Sequence, residues 1–169
     1  MRKPALLLSA LAIATATHAQ AASYCGNLLM PAGALGSISR GFTGRHAGID
    51  LAAPLGSTIR AAAGGTVSYA GWYRGYGNMV DIRHDDGLTT RYAHMSQYVP
   101  ALGFGTPVKA GDIIGIVGST GHSTGNHIHF EVRYAGRAID PAPWIGVGSC
   151  VVMPPRTPVE EASLPAARR

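Results

Sequence analysis

The chain has 169 residues, 46% hydrophobic and 14% charged, with a formal net charge of +5 at pH 7. Two of its fourteen basic residues, Arg2 and Lys3, open the N-terminal segment; without them twelve basic residues face nine acidic ones, a mild excess that serves solubility. No basic run is interleaved with aromatics, which argues against a nucleic-acid partner.

Taken in chain order, Arg2 and Lys3 are followed by an apolar stretch from Ala5 to about Ala16 and a small-residue Ala19-Gln20-Ala21 pattern, the layout of a cleavable secretory signal over residues 1–21. The apolar run is too short for a membrane span and no later stretch qualifies, so stable membrane insertion is not expected. Tyr24 rather than a small residue precedes Cys25, which argues against a lipid anchor. Removing the signal leaves roughly 148 residues, enough for one domain, assigned to 22–150. Export and the two cysteines, Cys25 and Cys150, suggest a disulfide closing the domain; the alternative, a pair of extra metal ligands, lacks C-x-x-C spacing.

From Ser37 to about Ile145 short apolar runs rich in β-branched residues alternate with turn signals, and no long amphipathic helix is evident. The pattern predicts a mostly β fold: a single domain built on an antiparallel sheet. Strands are expected near Gly48–Ala52, Thr58–Ala62, Thr66–Trp72, Asn78–His84, Leu88–His94, Pro107–Val108, Ile113–Gly118, His127–Tyr134 and Arg137–Ile139. Hairpin turns are expected at Gly64-Gly65, Asp86-Gly87 and Ala135-Gly136. Ser96 to Phe104 reads as a loop, and the Pro- and Ala-rich tail 151–169 as disordered.

Five residues stand out as candidate chemistry: His46 and Asp50 in HAGID, His94 in RYAHM, and His127 and His129 in GNHIHFEV. Alternation along a strand puts His127 and His129 on one face and Ile128, Phe130 and Val132 on the other. His46 and Asp50, four apart, share a side in either a helix or an extended segment. A catalytic Zn2+ takes three nitrogen or oxygen ligands and leaves a position for water, so five candidates suffice for three ligands and two acid–base groups. Each piece alone also describes an ordinary strand or loop; the combination points to a hydrolase site. Around it, Glu131 reads equally as a partner orienting an imidazole or as a solvated strand carboxylate. His122 reads as a plain loop histidine, His84 as a structural residue at an exposed hairpin end, and Tyr76 and Asn78 as groove or turn residues.

The segments HAGIDLAAPLGSTIRAAAGGTVSYAGWYRGYGNMVDIRHDDGLTTRYAHM, VKAGDIIGIVGSTGHSTGNHIHFEVR and AIDPAPWI together resemble the lysostaphin-like zinc metalloendopeptidases of family M23, over about Gly36 to Ile145. The resemblance implies that His46, Asp50 and His129 bind one Zn2+ and that His94 and His127 are the two non-ligand histidines, without deciding which is the general base. It implies a sheet floor with the site in a groove between loops. It further implies a periplasmic or extracellular enzyme, expected as a monomer, that hydrolyses peptide bonds of peptidoglycan by metal-activated water. The competing expectation is a non-catalytic module of the same fold that binds wall material or activates another hydrolase. The stretch before His46 is short where many members carry an insertion that walls the groove.

Overall fold

The structure, a computed structural model, describes residues 22–32 and 37–153; the expected signal segment and the tail beyond Met153 lie outside the described residues. Among those described there is no helix, and every strand pairing is antiparallel. The described residues form twelve strands: β1 (Ala22–Tyr24), β2 (Ile38–Arg40), β3 (Ile49–Ala52), β4 (Thr58–Arg60), β5 (Gly65–Tyr73), β6 (Gly77–Arg83), β7 (Leu88–Tyr98), β8 (Pro107–Val108), β9 (Ile113–Val117), β10 (His127–Tyr134), β11 (Arg137–Ile139) and β12 (Val151–Met153).

The main sheet runs β2-β3-β10-β7-β6-β5-β8, with β11 on β10, and β9 bridging β7 to β4. The apolar face of its central strands is the core: Leu51, Val67, Val80, Ile82, Tyr92, Ile128, Phe130 and Val132 are completely buried. Tyr92 and Phe130 sit opposite each other on β7 and β10 with ring centroids 5.4 Å apart. Each such apolar side chain stabilises the fold by about 1.5–3 kcal/mol.

Strand β7 departs from regular alternation where the site needs it. Val80 pairs with Tyr92 and Asn78 with Met95, so Met79 on β6 faces two residues, Ala93 and His94. That extra residue is a β-bulge, and His94 takes it up with a φ of 59°. Ala93 lies opposite His129, so strict alternation would send the His94 side chain to the core; the bulge re-aims it toward His127 and His129. A left-handed non-glycine residue costs about 1–3 kcal/mol, which the pairing on either side offsets.

The structure departs from the sequence expectations at four places. Gly64-Gly65 closes no hairpin: it joins β4, which pairs with β9, to β5, which pairs with β6 and β8. Strand β7 continues past His94 to Tyr98, using Met95 to Tyr98 to pair with β9, so the expected loop begins later than Ser96. Val151–Met153, expected to be disordered, pairs with Ala22–Tyr24. That ribbon flanks the Cys25–Cys150 disulfide, which removes both cysteines from any metal-ligand role. His84 is structural as expected but buried rather than exposed: its ring bridges the Gly64 carbonyl and the Thr90 hydroxyl, each at 2.8 Å.

Candidate active site

The five candidate residues converge at one end of β10. Asp50 lies directly across from His129 in the β3–β10 pairing, so both side chains leave the same face. His127 is two residues earlier on that face, and His46 comes in from the turn that bridges Thr43 to His46. His46 Nε2 lies 3.1 Å from Asp50 Oδ1 and 3.1 Å from His129 Nδ1, and His129 Nδ1 lies 2.9 Å from Asp50 Oδ1. All three residues are buried.

Hydrogen bonds behind the rings decide which nitrogens face inward. His46 Nδ1 lies 2.8 Å from the Gly41 carbonyl, which only accepts, so Nδ1 carries the proton and Nε2 presents its lone pair. His129 is turned the other way: Nε2 donates to Glu131 Oε1 at 3.0 Å, leaving Nδ1 as the inward atom. Two imidazole lone pairs and a carboxylate oxygen therefore meet with separations near 3 Å. The edge of a tetrahedron with bonds of about 2.0–2.1 Å is ~3.3 Å, so the donor set fits a small divalent cation such as Zn2+.

Glu131 explains the orientation of His129. It is fully buried and also accepts the Tyr76 hydroxyl at 2.6 Å and an Arg133 N–H, with an Arg91 guanidinium nitrogen at 3.8 Å. Arg91 is held in turn by two hydrogen bonds to Asp81, at 2.9 and 2.8 Å, and lies 4.8 Å from the Tyr76 ring centre. Burial pushes the Glu131 carboxyl up, but the bonds from His129, Tyr76 and Arg133 and the Arg91 charge outweigh it and bring the pKa down to about 2. Of the two sequence readings of Glu131, the orienting partner is the one observed. Burial also acts against a proton on His129, yet its bonds to Asp50 and Glu131 raise it above the ordinary histidine value. Burial would raise the Asp50 carboxyl; the His129 bond and the charges of His127 and His46 lower it instead. The centre attracts positive charge.

His94 and His127 stand beside the three donors, their rings 4.9 Å apart. His94 Nδ1 donates to the Thr120 carbonyl at 2.7 Å and His127 Nδ1 to the Gly125 carbonyl at 2.9 Å, so each turns Nε2 inward. His127 Nε2 is 3.6 Å from Asp50 Oδ1. Burial and the neighbouring His127 and His129 charges hold His94 below the usual histidine pKa, overcoming the Thr120 bond. Both carbonyls belong to the segment between β9 and β10, which docks on the β5–β6 turn. Gly77 and Gly121, both at positive φ, approach so closely that a Cβ on either would overlap the opposite backbone.

A groove of about 350 Å³ lies over these residues. Tyr76 and His122 line it, and the His122 N–H bonds the Gly75 carbonyl at 2.7 Å. Asn78 does not line it; its amide reaches the Met95 and Ser96 carbonyls and holds the bulge. Sequence reasoning passed over Arg40 and Arg45, which also line the groove. Their one signal was position: Arg45 precedes His46, and Arg40 lies opposite Asp50.

The model of peptidase family M23 matches residues 44–141, so the chain belongs to that family. It is 42% identical to the DD-carboxypeptidase/endopeptidase Mpg of Neisseria meningitidis over 73% of this chain and 27% of Mpg. It is also 42% identical to the murein hydrolase activator NlpD of Escherichia coli, over 58% of this chain and 25% of NlpD. The chain thus spans about a quarter of the length of these relatives. Among solved structures, a zinc-containing peptidase from Vibrio cholerae superposes with a TM-score of 0.55 at 29% identity, covering 71% of this chain and 39% of that one.

Proposed function

We propose that this chain is a zinc endopeptidase of the periplasm or cell exterior that hydrolyses peptide bonds of peptidoglycan. The observation that carries the reading is the convergence of His46 Nε2, Asp50 Oδ1 and His129 Nδ1, the two imidazole nitrogens freed for a metal by hydrogen bonds behind their rings. The V. cholerae neighbour supports zinc and Mpg supports peptide hydrolysis, while the disulfide fits an oxidising compartment. No described helix is long and apolar enough to cross a membrane.

In this reading His46, Asp50 and His129 hold Zn2+, which supplies polarisation of the scissile carbonyl and lowers the pKa of an attacking water toward about 7. His94 and His127 divide the proton transfers. One takes the water proton through Nε2 and returns it to the leaving amine; the other donates to the oxyanion. Thr120 and Gly125 hold Nδ1 as the donor and so turn both Nε2 atoms inward; the ring that takes the proton does so from its neutral form, and the ring that donates to the oxyanion carries a proton on each nitrogen.

The test is metal content together with fragment release from purified peptidoglycan, with and without chelator. Zinc near one per chain and chelator-sensitive release are expected. Replacing His94 or His127 by Ala should keep the zinc and lower turnover by about 10² to 10⁴. Loss of zinc in either variant would mean that ligand and acid–base roles have been exchanged. The similarity to NlpD favours one second reading, a non-catalytic activator. Zinc without release, combined with stimulation of a separate wall hydrolase, would establish it.

A further inference from the structure

Most charged side chains near the site are committed to one another, and two are not. Arg91 is neutralised by Asp81, and Arg133 by Glu131. Arg40 and Arg45 are exposed, line the groove beside His46 and Asp50, and have no carboxylate within ion-pair distance among the described residues. Arg40 also lines an adjoining cavity of about 390 Å³ that shares Asp50, Thr124 and His127 with the first. The two cavities form one trough, with Arg40 common to both parts. Among the described residues the only carboxylate lining either part is Asp50, whose charge is already engaged by three histidines. With a divalent cation bound, the trough would carry a clear positive charge on the side of β2 and the turn before His46.

We infer that Arg40 and Arg45 form a carboxylate-recognition wall, selecting peptide substrates that carry a free carboxylate close to the bond placed over the metal centre. The inference rests on the peptidase reading above. Guanidinium groups recognise carboxylates through paired N–H donors that a lysine or a neutral side chain does not supply. In a peptide that carboxylate comes from the C-terminus or from an acidic side chain, and both have the chemistry that the wall requires.

The experiment uses the zinc-loaded full chain with three soluble peptides: a stem pentapeptide, its C-terminal amide, and the same peptide with its side-chain carboxylates amidated. At low salt the wild type should favour the free acid over one of the amides by roughly tenfold in kcat/KM, the scale of two partly exposed ion pairs. The amide that loses the advantage identifies the source of the carboxylate. In the Arg40→Gln, Arg45→Gln double variant that acid-to-amide ratio should fall to near one, at unchanged zinc content and Tm. In the wild type it should shrink as salt is added. A wild type that treats all three peptides alike would overturn the inference, as would a double variant that keeps the full ratio. Should no peptide be cleaved, the hydrolytic reading fails first. Calorimetric titration of the same peptides then decides the wall alone: a binding preference for the acid that the double variant loses upholds it, and equal binding rejects it.

Discussion

On one face of β10, Ile128, Phe130 and Val132 are sealed against Tyr92 and the rest of the apolar core; on the other, His129 and Glu131 are nearly as inaccessible, 6% and 0% exposed. The first face is closed by shape and the hydrophobic effect, which tolerates replacements that preserve volume. The second is closed by Tyr76, Arg91 and Arg133, each bonded or paired so that no buried charge stands alone. Such an arrangement is intolerant of losing any member, since removing one partner leaves another charge buried without compensation. The polar face thus provides a fixed nitrogen rather than cohesion: everything behind His129 determines that Nδ1 points inward.

The largest way to break the contrast is to remove that nitrogen. His129→Ala should abolish zinc binding and hydrolysis together while the chain remains folded, because the apolar face of β10 is untouched; metal analysis alongside circular dichroism checks it. Full zinc retention in this variant would refute the ligand assignment. Phe130→Ala should do the reverse, costing about 3–5 kcal/mol of stability while any protein that stays folded still takes up zinc.

A smaller and sharper change is Glu131→Gln. Glutamine can still accept from the His129 ring and the Tyr76 hydroxyl but brings no charge to face Arg91 and Arg133. Zinc affinity should weaken about 10- to 100-fold, measured by competition with a chelating dye. Wild-type affinity would mean that the carboxylate only neutralises the arginines. The carboxyl falls from an ordinary 4.5 to about 2 on folding, so it contributes stability above about pH 4.5 that is lost as pH falls toward about 2. The acid limb of the wild-type stability curve should be steeper than that of the variant.

The two faces were unequally legible in the sequence. The alternation H-I-H-F-E-V-R announced which residues share a side, and most strands and the hairpins at Asp86-Gly87 and Ala135-Gly136 follow from patterning and turn residues, whereas the meeting of Asp50 with His129 was implied only by the family resemblance. Alternation could not say that the polar side is buried, because a solvated face has the same spelling; the cover comes from Tyr76 and Arg91, on other strands or turns. Nor could it show that His94 belongs to the site. Its side chain is brought there by a bulge with no glycine or proline to mark it, and a regular strand would have turned it to the core. Arg40 and Arg45 were invisible for a related reason: an exposed arginine gains meaning only from what lies beside it.

The smallest expected effect lies on the apolar face, at a buried hydroxyl. The Tyr92 hydroxyl donates to Thr90 Oγ1 and accepts the Ala62 N–H, each at 2.8 Å. Burial raises its pKa from 10.0 to about 12, with the bonds to Thr90 and Ala62 acting the other way. A group raised on folding contributes stability that is complete below its unfolded pKa and is lost as pH climbs through the folded one. The loss should therefore fall between about pH 10 and about pH 12 and amount to about 2–3 kcal/mol at its end. Tyr92→Phe leaves two polar groups short of a partner and should cost about 1–2 kcal/mol at neutral pH, yet its alkaline limb should be flatter, so the two stability curves converge as pH rises. Parallel curves would mean that the hydroxyl ionises no harder in the fold than in the open chain, and that water reaches the buried face.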